Sequence, residues 1–385
     1  LNAGIRCNLE YHKINLKLTF RPKKQQVPGT VYTNYFTSLL DMNIEKGYTI
    51  LDSMRLPNGL YIASPSIHYS AVWIRDSLYI SLPFLNKTCK TYERTLHRLL
   101  DLMLDYEWKI DIHIKEKPME SWQYIHAKYD AKTVKELAEP WGHAQHDAIG
   151  LLLWSIGEGE RHGKHIIRNE RDREMVQKLV YYLRSCEYWN DNDNGMWEEG
   201  RDVHASSVGA CVSGLRSVSY LVDVPQHLIR KGLIALEELG SNETAGRVAD
   251  MAQLSLIYPH RVYSREMALQ VINNIEKRLV RRNGVVRYEG DSYYSTIEHT
   301  GRNQPLASYF GTEAEWCLGL PWLAICHLEL GSYEHAHAYV AQTENIILPD
   351  GSIPELYYAN SNEYNPNTPL GWANALYLLA KEKID

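Results

Sequence analysis

Indoles, phenols, arginines and carboxylates recur side by side at widely separated places in this 385-residue chain. Trp73-Ile74-Arg75-Asp76 comes first, followed by Trp141-Gly142-His143-Ala144-Gln145-His146-Asp147 and by Trp197-Glu198-Glu199. Arg287-Tyr288-Glu289-Gly290-Asp291-Ser292-Tyr293 and Pro354-Glu355-Leu356-Tyr357, with Gly371-Trp372 beyond, complete the series. Sugars need such neighbours: flat aromatic faces cover the apolar sides of a ring, and fixed charges and amides bind its hydroxyls. The aromatic composition agrees, with 27 Tyr and 10 Trp against 4 Phe, so that nearly every ring carries a polar tip suited to a wet cleft. Cleavage of a glycosidic bond requires two carboxyl groups flanking it, one protonated and one ionised. Glu198 and Glu355 fall in different long loops and can face one pocket from opposite sides. Spacing alone does not select them, because a loop glutamate is usually a solvated surface group.

Composition narrows the alternatives. Lys and Arg number 41 against 47 Asp and Glu, a formal charge of −6, without the basic excess of nucleic-acid binders. No run approaches the roughly 18 uninterrupted apolar residues of a membrane-spanning helix. Neither nucleic acid nor membrane is therefore an expected partner. Cys7, Cys89, Cys186, Cys211, Cys317 and Cys326 are scattered without a C-x-x-C pair, so neither a disulfide framework nor a zinc site is expected. His143 and His146, three residues apart at a helix start, read as hydrogen-bonding groups in preference to metal ligands, and no metal or other cofactor is expected. No charged-then-apolar leader pattern follows Leu1, which favours the cytoplasm.

The elements that must position these residues alternate between two kinds of helix. One kind has a single apolar face: over Lys90 to Trp108, Tyr92, Leu96, Leu99, Leu100 and Met103 lie opposite Glu93, Arg94, Arg98 and Asp101. Similar patterns fall at about 31–54, 170–187, 226–239, 262–282 and 332–345. The other kind, as in Ala205 to Val222, is nearly uncharged and rich in small residues, the signature of a helix buried on every side. Its members are expected at about 73–87, 143–157, 204–222, 245–257, 313–331 and 369–381. Links leading into the buried helices are mostly long, at about 55–72, 109–142, 188–203, 283–312 and 346–368, and long loops in a compact domain usually carry function. The pattern predicts an all-α fold, an (α/α)6 barrel over residues 30–385 with its long loops gathered where the inner helices begin. An open superhelix of stacked hairpins is the competing arrangement, but its repeats would be more uniform in length. Residues 1–29 read as a separate arm, in which Tyr11 to Phe20 alternates like a strand or the remnant of a β module.

The segments W-I-R-D, W-G-x-x-Q-x-D, W-E-E, R-Y-x-x-D-x-Y and P-E-x-Y stand in one order, and on them the chain resembles the glucoamylase-type glycoside hydrolases of family 15 from about residue 31 onward. The stretches at 126–130, 141–143, 204–209 and 354–357 are similar to the glucoamylase-like domain of phosphorylase kinase α and β subunits. The resemblance implies Glu198 as general acid, Glu355 as general base and Glu199 as a contact to sugar on the leaving-group side. It further implies that Arg75 and Asp76 grip a terminal glucose, that Tyr69 lies beside the attacking water, and that Trp141, Arg287 and Trp372 wall the pocket. Trp73, Trp197 and Tyr288 complete the expected substrate-binding set. The implied reaction is inverting and exo-acting, releasing glucose from non-reducing ends of α-glucans or oligosaccharides without a cofactor. A regulatory module that binds α-glucan without turning it over is the alternative. Glu198 must stay protonated near neutrality, and burial against Trp197 beside a charged Glu199 is the expected cause. Fungal members carry Arg-Pro at the positions of His143 and Ala144, and the kinase subunits carry Arg at that of Glu199.

Overall fold

The computed structural model describes residues 43–296 and 305–384. Every described element belongs to one unit, Met42–Asp385. The arm expected over 1–29 lies outside the described residues. In chain order the helices are α1, described over 43–53, α2 (Ile74–Ser81), α3 (Thr91–Asp105), α4 (Glu107–His113), α5 (His146–Arg161) and α6 (Glu170–Cys186). There follow α7 (Ala205–Val218), α8 (Gln226–Leu239), a 3₁₀ turn (Met251–Leu256), α9 (Arg265–Arg278), α10 (Gly319–Glu329), α11 (Tyr333–Glu344) and α12 (Gly371–Ile384).

The two kinds of helix form two rings. Inside, α2, α5, α7, the 3₁₀ turn, α10 and α12 each pack on the next, and α12 returns to α2. That last contact closes the (α/α)6 barrel and excludes the open superhelix. Outside lie α3, α4, α6, α8, α9 and α11, each burying one stripe. In α6 the stripe is Met175, Val176, Leu179, Val180, Leu183 and Cys186, and Asn169 caps the helix by accepting from the Asp172 amide at 3.1 Å. Every residue of α2 is buried, Arg75 and Asp76 included.

Small residues let the inner helices approach closely. A Cβ on Gly150 of α5 would stand 2.4 Å from the Ala210 carbonyl carbon of α7, and one on Gly214 would stand 2.3 Å from the Gly150 oxygen. Backbone occupies the space a side chain would need. This is why α7 reads as a run of Ser, Gly and Ala.

The fourth inner element departs from expectation. In place of a helix over 245–257 there is the six-residue 3₁₀ turn, started by Asp250, whose side chain accepts from the Ala252 amide at 2.7 Å, and followed by Tyr258-Pro259. Proline has no amide to extend a helix. Two small ladders, absent from the sequence reading, tie the long links together. Strand β1 (Ala71–Trp73) pairs antiparallel with β2 (Lys128–Asp130), setting Trp73 opposite Lys128, and β3 (Glu315–Trp316) pairs with β4 (Leu356–Tyr357).

Candidate active site

A cavity of about 790 Å³ opens where the inner helices begin. Tyr69, Trp73, Arg75, Asp76, Trp141, Trp197, Glu198, Glu199, Arg287, Tyr288, Glu355 and Trp372 all line it, so the twelve expected site residues come together. They arrive from five long links and the first turns of α2 and α12.

Arg75 is the hub of one side. Its Nη1 donates to Asp147 Oδ2 at 2.8 Å and to Gln145 Oε1 at 3.1 Å, and its Nη2 donates to Glu198 Oε1 at 3.1 Å. One guanidinium thus joins α2, the start of α5 and the link before α7. The Trp141 indole N–H donates to the other Glu198 oxygen at 3.0 Å. Glu198 sits at φ 62°, a left-handed conformation that costs a non-glycine residue on the order of 1–2 kcal/mol. That turn lets Glu198 and Glu199 face different partners. The Glu198 side chain is 14 % exposed, and it lines the cavity, so it is poorly solvated and behaves electrostatically as a buried group. Burial raises its pKa, while Arg75 and Lys128 oppose the rise and Asp147 adds to it.

Glu355 is buried on the other side. Tyr69 Oη donates to its Oε1, and its Oε2 accepts from Asn365 and, at 2.8 Å, from Asn367. Burial raises this pKa too, and the hydrogen bonds from Tyr69, Asn367 and Asn365 pull it back. Asp76 feels both acids: burial lifts it to about 7, Arg75 opposes, and Glu198 and Glu355 add to the rise.

Burial, the expected cause of Glu198's perturbation, is the largest one, but the groups around the carboxyl differ from those expected. The Trp197 indole donates to Asp250 at 2.8 Å, and it is Trp141 that bonds Glu198. Glu199 is turned away, its Oε1 accepting from Arg287 at 3.0 Å and Tyr288 at 2.8 Å, its Oε2 from Arg247 at 3.3 Å. Arg287 is itself held by two 2.7 Å bonds to Asp291.

Aromatic faces build the walls. Lys128 Nζ stands 3.2 Å from the Trp141 ring centroid, a close cation–π contact, and Tyr79 stacks on Trp372 at 4.2 Å. Lys128, Tyr293 and Trp316 line the cavity without having been picked out as site residues. Lys128 and the Gln145-Asp147 pair stand inside quoted motifs and were within reach of sequence reading. Asn365, Asn367 and Arg247 carried no such signal. His143 stacks on His126 at 3.6 Å, whereas the His146 Nε2 faces Asp191 at 2.8 Å, so the two histidines serve separate contacts. Among the described residues no group of three or more His, Cys, Asp or Glu side chains could hold a metal ion, and no helix is long and apolar enough to cross a membrane.

Known proteins share this fold. Residues 49–381 match the family model for glycosyl hydrolases family 15. A probable phosphorylase b kinase regulatory subunit alpha of Caenorhabditis elegans is 24% identical over 372 residues, covering 80% of this chain and 30% of that protein. The liver isoform of the regulatory subunit alpha from Mus musculus is 26% identical over 384 residues, with 83% and 31% covered. The chain therefore spans about a third of the length of these relatives. Among solved structures, a wild-type glycosidase superposes with a TM-score of 0.74 at 18% identity, covering 89% of this chain and 96% of that one. A bacterial glucoamylase complexed with acarbose gives 0.66 at 16% identity, with 89% and 55% covered. These structures share the fold, and the family match takes in most of the chain: it belongs to the glycosyl hydrolases of family 15.

Proposed function

We propose that this chain is an inverting, exo-acting α-glucoside hydrolase that releases glucose from the non-reducing ends of α-glucans or oligosaccharides. The observation that carries this reading is the pair Glu198 and Glu355, lining one cavity and held by separate sets of donors. Glu198 gives its proton to the glycosidic oxygen as the bond from that oxygen to the anomeric carbon breaks. A water attacks the same carbon from the opposite face and passes a proton to Glu355. The anomeric configuration inverts, and the two carboxyls exchange protons with solvent to reset. Tyr69 and the two asparagines, donating to Glu355, favour its ionised form, as a general base requires. Arg75 and Asp76 bind the hydroxyls of the terminal glucose, and Trp141 and Trp372 bound the ring.

Glucose release from maltose, isomaltose and soluble starch tests the proposal, with the anomer of the first product followed by NMR. Release of β-glucose supports it. Release of α-glucose removes Glu355 from the role of base. A second reading is favoured by the names of the curated relatives, which are regulatory subunits: a module that binds α-glucan without cleaving it. Binding of these sugars with no glucose released would establish that reading over the first.

A further inference from the structure

We infer that a second cleft, at the stem of the hairpin that carries Glu198, binds a small tetrahedral oxyanion, inorganic phosphate or a phosphomonoester, and that its occupancy tightens sugar binding. The coupling, unlike the anion site itself, rests on the glycan-site reading above. The cleft has a volume of about 490 Å³ and lies between the α4–α5 and α6–α7 links. Lys117 and Tyr124 line it from the first link, and Asn190, Asp191, Asn192 and Arg201 from the second. The same two links bring Trp141 and Glu198 to the sugar cavity.

The charged and amide side chains that a ligand can reach in this cleft are donors. Asp191, its one carboxylate, is buried and engaged on both oxygens: Oδ1 faces Lys117 Nζ at 2.9 Å, while Oδ2 accepts from Tyr124 Oη at 2.9 Å and faces His146 Nε2 at 2.8 Å. Burial would raise its pKa, but the bonds from His146 and Lys117 hold it below the ordinary carboxylate value, so it stays charged. The partly exposed Lys117 keeps further N–H groups beyond that pair. Arg201 spans the cleft: Nε donates to the Asn192 carbonyl, Nη1 to the Met119 carbonyl at 3.3 Å and Nη2 to Tyr124 Oη at 2.7 Å, which leaves an N–H on each terminal nitrogen uncommitted. Asn190 and Asn192 are exposed, and no hydrogen bond among the described residues engages their side-chain amides. Two cations against one carboxylate leave the cleft positive; Glu187, 3.7 Å from Lys117, is not part of the lining and is more than half exposed, where water screens it. Converging donors already held in place are what an oxyanion requires.

The cleft and the sugar cavity share one hairpin. Asp193 and Asp202 pair antiparallel, each amide donating to the other's carbonyl, at 2.8 and 2.9 Å. The stem is pinned to the barrel: Asp193 Oδ2 accepts from the His146 amide at 3.0 Å, and its Oδ1 faces His204 Nδ1 at 2.8 Å. Asn192 and Arg201 flank that pair and line the cleft, whereas Trp197, Glu198 and Glu199 form the tip and line the sugar cavity. An anion that draws Asn192 and Arg201 onto itself therefore fixes the stem, and with it the position in which Glu198 meets Arg75 and Trp141. A tip held in place before the sugar arrives loses less freedom on binding, so the two ligands bind with positive coupling.

Calorimetric titration with inorganic phosphate and with glycerol 3-phosphate tests the anion site in wild type, in Lys117→Met and in Lys115→Met, which removes an exposed charge of the same link outside the cleft. The expected result is saturable binding in wild type, weakened about 10-fold or more in Lys117→Met and less than about two-fold in Lys115→Met. Tighter binding of glycerol 3-phosphate would identify the occupant as a phosphomonoester, and equal or tighter binding of phosphate would identify it as the free ion. No saturable binding of either anion, an unchanged affinity in Lys117→Met, or equal losses in the two variants overturns the site. The coupling is read from the affinity of wild type for a thio-linked maltose, which resists hydrolysis: saturating phosphate should raise it about two-fold or more. An affinity that phosphate leaves unchanged or lowers overturns the coupling. Wild-type protein that binds phosphate but not thiomaltose overturns the glycan-site reading, and the coupling with it, while the anion site stands.

Discussion

Glu198 and Glu355 line the same cavity, and burial raises the pKa of both, but different kinds of group lead the opposition to burial. At Glu355 the opposing groups are led by neutral donors, one phenol and two amides, with the Arg287 charge a lesser contribution. At Glu198 they are led by charges: Arg75, already engaged with Asp147, and Lys128, seated over Trp141. Neutral donors turn with a carboxylate and hold a nearby water's partner in place. Fixed cations instead set how readily a proton leaves. The comparison teaches that two carboxyls can be built at similar depth with burial offset mainly by dipoles at one and mainly by charge at the other.

The sharpest way to break this pairing is to remove either acid. Glu198→Gln and Glu355→Gln should each lower kcat by about 10²- to 10⁴-fold, with oligosaccharide binding retained, since one proton transfer is lost in each. Near-normal kcat in either variant would strike that residue from its role.

Next in size is loss of the neutral donors. Tyr69→Phe and Asn367→Ala should each lower kcat by about 10-fold, the worth of a hydrogen bond to a charged group. Steady-state kinetics on maltose reads this directly, and a change confined to KM would contradict an orienting role.

Lys128→Met sharpens the charged side. The Lys128 charge lowers the pKa of Glu198, so its removal raises that pKa and keeps the acid protonated to higher pH. The alkaline limb of the kcat profile should move upward while the acid limb, set by Glu355, stays in place. An alkaline limb that stays or moves down would show that Lys128 does not tune the acid.

The smallest effect is expected at Asp76, between the two acids. Its pKa rises from 3.8 to about 7 on folding, so the native state binds the proton more tightly. Stability is therefore fully present below about pH 4 and is lost as pH rises through about 7. Asp76→Asn removes that dependence, and its melting temperature relative to wild type should be more favourable at about pH 8 than at about pH 5. An equal difference at the two pH values would argue that Asp76 titrates normally.

Much of the fold was legible because burial leaves a local mark. The single stripe of α6 and the all-round burial of α5 and α7 are periodicities within a dozen or so residues, so the assignment to outer and inner rings needed no distant information. The fourth inner element was misread because a 3₁₀ turn started by Asp250 and followed by Pro259 buries its residues as a helix does. In the site, aromatic and charged residues stood out where they clustered in motifs. Asn365, Asn367 and Arg247 did not, since single polar residues in loops look alike until their partners are known.

The order of one-faced and fully buried helices, the placing of long links before the inner ones and the order of the aromatic and charged motifs were all decided by residue types along the chain, because hydrophobic periodicity and motif order are properties of neighbouring positions. Which donors each acid meets was decided by tertiary structure alone. Tyr69 and Glu355 stand 286 positions apart, and Arg75 and Glu198 stand 123 apart. A hydrogen bond forms only within about 3 Å, a distance that closure of the ring from α12 back to α2 sets and that no local pattern encodes.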